Sequence, residues 1–286
     1  MGERGAMRRI PMLERLRGVI RFSAMSLLVA LYAASAWGQQ TGTVATVTPA
    51  ADSAKFHVLA IAEKGGIHKP FVDAAKIWLD KLAKEKNFSV DYVEDTSKID
   101  DDFLAKYKLF IQLNYPPYGW TDTAAASFVK YIEQGKGGWI GFHHATLLGE
   151  FDGFQIWPWF RDFMGGIRFK DYIATFVTGT VTVEAPEHPV MRGVPAKFVI
   201  KDEEWYTWDK SPRPNVHVLA SVDEKTYTPD TDKKMGADHP VIWSNEHLKA
   251  RNVYIFMGHR PEHFGNPAFT KMFANAIFWA AGEEGR

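Results

Sequence analysis

Short apolar runs alternate with longer segments of helical periodicity in the first half of the chain. The helical segments repeat apolar residues about every 3.6 positions, as a helix with one buried face does. One begins near Pro70, and another follows Thr121, whose hydroxyl can cap a helix. The apolar runs suit parallel strands that are buried on both faces. These predicted strands cover residues 56–62, 88–93, 109–113 and 139–142. A series of strand–helix units predicts an α/β fold with a doubly wound, mainly parallel sheet.

The second half of the chain has a less regular pattern. A short helix is predicted at residues 157–164, and alternating apolar and polar residues at 175–184 predict a strand with one solvated face. A closing helix is predicted over residues 267–281. Further strands are predicted at residues 198–200, 216–222, 241–243 and 253–257. No repeat or linker interrupts this pattern, so we predict one domain over residues 55–283, with β segments added in its second half.

Residues 1–38 have the composition of a secretory signal peptide, with several arginines before an apolar run that ends in small residues. The run is short for a transmembrane helix, which needs about 20 apolar residues. We therefore expect cleavage after Ala36 or Gly38, a periplasmic or secreted location, and no membrane span after cleavage. An uncleaved anchor is the alternative. Residues 39–54, rich in Thr, Ala and Gln, are predicted to form a flexible leader.

Composition excludes several kinds of chemistry. The chain has no cysteine, which excludes disulfides, thiolate metal sites, iron–sulfur clusters and a thiol nucleophile. Lys plus Arg and Asp plus Glu balance at 34 each, so no basic field indicates a nucleic-acid partner. Gly65 and Gly66 follow the first predicted strand but lack the spacing and the Lys-Ser/Thr ending of a phosphate-binding loop.

Polar side chains follow several predicted strands, where open α/β sheets bind their ligands. His143 and His144 follow the fourth predicted strand directly, and His259 follows the strand at residues 253–257. Other candidates near strand ends are His68, residues 114–120, Asp202, Glu203 and Glu204, with Glu262 and His263 as weaker ones. Imidazoles and carboxylates that meet in a cleft serve in acid–base catalysis or bind metals, and both uses stay open.

An ordered set of short motifs resembles the ThuA-like (trehalose-utilisation) family over residues 56–282. The longest motif is GGWIGFHHA at residues 137–145, and PVIW at residues 240–243 leads to MGH at residues 257–259. Between them lie Trp159-Phe160, Gly165-Gly166, His188-Pro189, and Asp202-Glu203 with Tyr206. The resemblance implies a flavodoxin-like fold, with helices on both faces of the sheet, that is related to class I glutamine amidotransferases.

Those amidotransferases carry a cysteine nucleophile on a sharp strand-to-helix turn and a His-Pro-Glu motif after a late strand. The resemblance places His143 at the position of the cysteine and compares residues 259–262 (HRPE) with the second motif, with one residue inserted. Glutaminase activity is therefore not expected, because its nucleophile is missing. The family resemblance instead implies catabolism of trehalose and related sugars through 3-keto sugars.

A 3-keto group acidifies the neighbouring C–H bond, so proton abstraction and elimination can open such a glycoside, with or without addition of water. This route needs a base, a group that stabilises the enolate and an acid for the leaving oxygen. We expect a keto-glycoside hydrolase or lyase. The catalytic candidates are His143, His144, His259, Glu203 and Asp202. The candidates for contact with a small carbohydrate substrate are Tyr118, Trp120, Trp159, Tyr206 and His68.

The sequence leaves the cofactor open. A divalent metal is the candidate, and His143, His144, His259 and Glu204 are its candidate ligands, although no short helical motif fixes their geometry. The alternative function is that of a non-catalytic carbohydrate-binding or assembly partner, which would have kept the amidotransferase-like scaffold without its nucleophile.

Overall fold

The structure is a computed structural model that describes residues 54–284, so the predicted signal peptide and nearly all of the predicted leader lie outside the described residues. Five parallel strands form one half of a nine-stranded sheet. In spatial order they are β2 (Ser89–Val93), β1 (His57–Ala62), β3 (Leu109–Leu113), β4 (Gly138–Phe142) and β11 (Asn252–Ile255). All residues of β3 and β4 are buried, as expected for central parallel strands. The predicted α/β fold is confirmed.

Four antiparallel strands extend the sheet beyond β11. They are β10 (Pro240–Ser244), β9 (His217–Thr228), β6 (Val177–Val183) and β7 (Lys197–Glu203). A separate pair consists of β5 (Phe169–Tyr172) and β8 (Tyr206–Trp208). The sequence pattern missed β5 and β8 because strands of four and three residues are too short to show a period.

Helices cover both faces of the sheet. They are α1 (Lys69–Lys86), α2 (Asp101–Leu104), α3 (Asp122–Glu133), α4 (Pro158–Phe163) and α5 (Pro267–Ala280). In β4, Phe142 packs against Phe273 of α5 with ring centroids 4.8 Å apart. Trp139, three residues earlier and therefore on the opposite face, packs against Phe160 of α4 at 6.0 Å. This arrangement matches the doubly wound prediction.

Local sequence signals set several helix ends. The Thr121 hydroxyl accepts a hydrogen bond from the Ala124 N–H, so the predicted cap of α3 is confirmed, and such a cap contributes about 1 kcal/mol. Asn266 caps α5 in the same way. α1 is followed by its C-cap residue Asn87, which adopts a left-handed conformation with φ of 60°. Among residues 54–284, no helix is both long and apolar enough to cross a membrane.

Candidate functional site

The chain leaves β1, β3, β4 and β11 at the same edge of the sheet, because these strands are parallel. Glu63 follows β1, Asn114 follows β3 and His143 follows β4. His259 lies four residues beyond β11. The carboxyl edge of the parallel half therefore gathers polar side chains from four separate segments, as the topology of such sheets predicts.

His143 lies on a sharp turn between β4 and a short 3-10 helix (His143–Thr146). Its φ of 37° is a left-handed conformation that residues with a side chain rarely adopt. The hydroxyls of Thr146 and Tyr254 lie 3.0 and 3.1 Å from the His143 carbonyl oxygen and hold the turn. Backbone strain of this kind collects at functional sites, and here it directs a fully buried imidazole into the site.

Gly258 lets the loop after β11 approach this turn. A Cβ atom at Gly258 would lie 2.4 Å from His143 Cβ and 2.5 Å from Asn114 Oδ1. The Asn114 amide also donates a hydrogen bond to the Gly258 carbonyl. Only glycine therefore allows the segment that carries His259 to pack against the turn that carries His143.

Three imidazoles converge on one carboxylate oxygen. Glu204 Oε2 lies 3.4 Å from His143 Nε2, 3.8 Å from His259 Nδ1 and 3.9 Å from His68 Nε2. All four side chains are buried, and we call them the Glu204 cluster (His68, His143, Glu204 and His259). The structure thus brings together three of the four candidate metal ligands and adds His68, which the sequence analysis expected as a substrate contact.

Hydrogen bonding and burial define the charges in the Glu204 cluster. His143 Nδ1 lies 3.3 Å from the carbonyl oxygen of Phe256, which can only accept, so Nδ1 carries the proton and Nε2 presents a lone pair to Glu204. Burial lowers the pKa of His143 and of His259 to about 4. Burial opposes ionisation of Glu204, but its interactions with the surrounding imidazoles outweigh burial and lower its pKa to about 2. Near neutral pH the carboxylate is charged and these two imidazoles are neutral.

A second carboxylate, Glu63, lies beside His144. Glu63 Oε2 is 3.3 Å from His144 Nδ1 and 3.7 Å from His68 Nδ1. His144 Nδ1 is also 3.1 Å from the carbonyl oxygen of Asn114, which places a proton on Nδ1 and leaves Nε2 to accept one. Burial lowers the pKa of His144. Glu63 is not among the residues predicted from sequence, although its position directly after β1 is the same signal that indicated the histidines.

Glu203 contacts the backbone of two residues in the Glu204 cluster. It is fully buried, and Oε2 lies 2.7 Å from His263 Nε2, whose hydrogen bond lowers the carboxyl pKa against the effect of burial. Oε1 accepts the backbone N–H of Glu204, and Oε2 is 3.5 Å from the backbone nitrogen of His259. Glu203, a predicted catalytic residue, thus positions two members of the Glu204 cluster.

Aromatic rings pack against the imidazoles. The Tyr206 ring is 4.4 Å from the His143 ring, so this predicted substrate contact lies in the site but is nearly fully buried. Phe176 lies 4.4 Å from the His259 ring, and the Arg260 guanidinium lies 4.6 Å above Phe176. Phe176 is not among the predicted site residues, and its φ of 51° is unusual for a bulky residue.

Tyr118 and Trp120 line a separate cavity of about 300 Å³ next to the loop after β3. Tyr118 stacks on Phe151 and Phe154, and the pKa of its hydroxyl is raised by burial, then by the charge and hydrogen bond of Asp152, and last by the charge of Glu63. The Trp120 ring packs against Phe128, and its N–H donates to a backbone carbonyl. Both of these predicted substrate contacts therefore lie in this separate cavity, outside the Glu204 cluster.

The structure does not bring Trp159 or Asp202 into the Glu204 cluster. The Trp159 N–H donates to Glu133, at the end of α3 that lies far from the carboxyl edge of the sheet. Asp202 is exposed and lines another cavity of about 620 Å³ with Arg260 and Glu262. Its φ of 51° accompanies a register shift between β6 and β7, which breaks the alternation of side chains along the strand.

Comparison with known proteins identifies the family. Residues 57–280 match the model of the ThuA family, described as trehalose utilisation, so the chain belongs to this family. No curated protein sequence matches the chain. A ThuA-like protein from Bacteroides uniformis is 32% identical, with a TM-score of 0.71 over 82% of this chain and 94% of the relative.

Two more distant structures support the fold alone. A ThuA-like protein from Parabacteroides merdae is 17% identical with a TM-score of 0.55, over 81% of this chain and 92% of the other. A Thermoplasma acidophilum protein described as part of a GMP synthase is 12% identical with a TM-score of 0.51, over 79% and 94%. The fold is thus the amidotransferase-like, flavodoxin-like one that the sequence motifs implied.

Proposed function

We propose that this protein is an exported enzyme, a hydrolase or lyase that acts on keto-glycosides derived from trehalose or related glucosides. The observation that carries the proposal is the convergence of His68, His143 and His259 on Glu204 at the ligand-binding edge of the sheet. Membership of the trehalose-utilisation family supports a carbohydrate substrate. The arginine-rich and apolar pattern of residues 1–38 supports export.

The proposed reaction forms no covalent bond to the protein. A base removes the proton from the carbon between the keto group and the anomeric carbon, and the electron pair of that C–H bond forms the enolate. The enolate electrons then form a carbon–carbon double bond while the bond to the glycosidic oxygen breaks. The leaving oxygen takes a proton from an acid, and addition of water to the double bond completes a net hydrolysis.

His144 and the Glu204 cluster can divide these roles. Neutral His144 has a proton on Nδ1 and an accepting Nε2, so it can act as the base, while Glu63 stabilises the imidazolium that forms. The proton held on His144 can then pass to the leaving oxygen. The Glu204 cluster would polarise the keto oxygen, either through a proton on an imidazole or through an ion that the cluster holds.

Mass spectrometry of reaction products tests this function. The purified protein is incubated with glucosides and with the corresponding 3-keto-glucosides, and we expect cleavage of the keto substrates alone. The double variant His143→Ala/His259→Ala should lose turnover, and retained activity in it would contradict the proposed site. No turnover of any substrate by the folded wild-type protein would instead favour the non-catalytic carbohydrate-binding partner.

A further inference from the structure

Four electron-pair donors in the Glu204 cluster point at one small volume. One ligand atom from each of the four side chains lies within 4.8 Å of the others, and the imidazole nitrogens that face Glu204 Oε2 are His68 Nε2, His143 Nε2 and His259 Nδ1. Each of the four side chains is at most 6% exposed. They come from four separate segments of the chain, so the fold itself assembles the group.

Hydrogen bonds among the described residues do not satisfy these four atoms. Among residues 54–284, His68 Nε2 and His259 Nδ1 have no hydrogen-bond partner, and their distances of 3.9 and 3.8 Å to Glu204 Oε2 are too long for one. His143 Nε2 and Glu204 Oε2 face each other as two acceptors, because the imidazole proton is on the Nδ1 that contacts Phe256. A buried polar atom without a partner destabilises the folded protein, and facing lone pairs repel. A positive charge between these atoms would satisfy all of them.

We propose that the Glu204 cluster binds one divalent transition-metal ion of the Zn²⁺ type through these four atoms. Three imidazole nitrogens and one carboxylate favour Zn²⁺ and similar ions over Mg²⁺ and Ca²⁺, which prefer oxygen ligands. A tetrahedral ion with bonds of about 2.0–2.1 Å separates its ligand atoms by about 3.3–3.4 Å. The carboxylate–imidazole separations of 3.4, 3.8 and 3.9 Å are close to that value.

Outer contacts orient the proposed ligands. The Phe256 carbonyl fixes the tautomer of His143, and Glu63 faces His68 Nδ1 at 3.7 Å, which favours a proton there and a lone pair on Nε2. Glu203 holds the backbone N–H of Glu204. Metal-binding histidines characteristically have their second nitrogen oriented by a carbonyl or a carboxylate in this way.

The neighbouring group of Glu63, His68 and His144 is the weaker candidate for the same ion. It also brings three ligand atoms within 4.8 Å. However, His144 Nδ1 already contacts the Asn114 carbonyl at 3.1 Å, so this nitrogen carries a proton and has no lone pair for a metal. The nitrogen of His144 that faces Glu63 therefore offers no lone pair to an ion, and His144 is left out of the proposed ligand set.

The proposed ion deepens the proposed function, and its catalytic role rests on that function. A divalent ion stabilises negative charge on a carbonyl oxygen as a Lewis acid, which is the step that the proposed elimination needs. Binding of the ion does not depend on the reaction. It can therefore be tested by metal content, so the metal site and the proposed activity can fail separately.

Elemental analysis and calorimetric titration of the purified protein test the metal site. We expect about one transition-metal ion per chain as purified, and after treatment with chelator we expect about one Zn²⁺ to bind per chain. His68→Gln and His259→Gln should each weaken Zn²⁺ binding by more than roughly 100-fold, since even loss of an outer contact costs about 10–100-fold. His144→Gln, the matched control, should keep the wild-type stoichiometry and an affinity within roughly 10-fold.

Two results would overturn the metal site. One is wild-type protein with a native circular dichroism spectrum that contains no transition metal and binds no added Zn²⁺. The other is wild-type affinity in both His68→Gln and His259→Gln. The wild-type titration needs no variant to fold, so the site remains testable if the substitutions destabilise the protein. Bound metal without turnover of any keto-glucoside would retain the metal site and contradict the proposed function.

Discussion

His143 Nε2 and Glu204 Oε2 lie 3.4 Å apart as two buried hydrogen-bond acceptors. The contact of His143 Nδ1 with the Phe256 carbonyl sets this relationship, because it places the imidazole proton on the side away from Glu204. His143 also adopts its strained φ at the start of the turn that follows β4. The protein therefore maintains an arrangement that costs stability by itself, as sites that bind a cation or a reacting group do.

Removal of metal should lower thermal stability. If the Glu204 cluster holds a Zn²⁺-type ion, free ion at 100 times its dissociation constant stabilises the folded state by about 2.7 kcal/mol. We expect the melting temperature of the wild type to fall with chelator and to recover with added Zn²⁺. His259→Gln should melt at the same temperature under both conditions, whereas an equal response of variant and wild type would place the ion elsewhere.

Gly258→Ala should disturb the site through close contact. The new Cβ would lie 2.4 Å from His143 Cβ, so the two loops must separate, and overpacking of this kind costs about 1–3 kcal/mol. We expect a lower free energy of unfolding in urea and a loss of turnover. Gly265→Ala is the matched control, because no atom of the described residues outside its own chain neighbours lies within 4 Å of its Cβ position. Similar stability losses in the two variants would refute the packing argument.

Glu203→Gln should destabilise the protein more than removal of an exposed ion-paired carboxylate does, because Glu203 is buried and positions the site. The substitution removes the charge of a fully buried carboxylate that lies 2.7 Å from His263 Nε2, and we expect a loss of about 1–3 kcal/mol in the free energy of unfolding. Glu246→Gln removes an exposed carboxylate that pairs with His217, and such a pair contributes at most about 1 kcal/mol. Denaturant titration of both variants measures the two losses in the free energy of unfolding. Unchanged stability in Glu203→Gln would contradict the positioning role of Glu203.

Much of the parallel half of the fold could be predicted from sequence because local signals agree there with long-range packing. The bounds of β3 match the predicted residues 109–113, and Thr121 caps α3 as expected. The elements of the second half were less predictable. Short strands such as β8 owe their existence to pairing with distant segments, and a register shift at Asp202 breaks the alternation that a pattern can detect.

The candidate site could be predicted only in part. Strand ends pointed to His143, His144 and His259, because topology alone brings such positions to one edge. The pairing of Glu63 with His144 and the contact of Phe176 with His259 depend on loop conformations that no local pattern encodes. Trp159 belongs to a motif that resembles the family. In the structure its side chain contacts α3 through Glu133 and does not belong to the Glu204 cluster.

His188 should contribute a measurable pH dependence of stability. Burial lowers its pKa from 6.5 to about 4, with the nearby His217 acting in the same direction and Glu187 and Glu246 opposing it. His188 in the unfolded chain therefore binds a proton near pH 6.5, whereas His188 in the folded protein binds one only near pH 4. Stability attributable to His188 is complete above pH 6.5 and declines as the pH falls, by about 2 kcal/mol at pH 5.

His188→Asn isolates this contribution. Asparagine keeps a side-chain acceptor for the Val190 N–H, which His188 Nδ1 now accepts at 3.2 Å, but it does not titrate. Urea unfolding at pH 7 and pH 5 should show a smaller loss of stability in the variant than in the wild type. Equal losses in the two proteins would show that His188 titrates normally in the folded state.

The most direct test of the account compares two carboxylates in one acidic segment. Glu204→Gln removes the charge on which the three imidazoles converge, whereas Asp202→Asn changes an exposed side chain outside the Glu204 cluster. The measurement is the rate of 3-keto-glucoside cleavage, followed by mass spectrometry in variants whose melting curves show that they are folded. We predict a loss of at least roughly 100-fold in Glu204→Gln and the wild-type rate in Asp202→Asn. Wild-type turnover in Glu204→Gln, or an equal loss in both variants, would contradict the assignment of the Glu204 cluster as the active site.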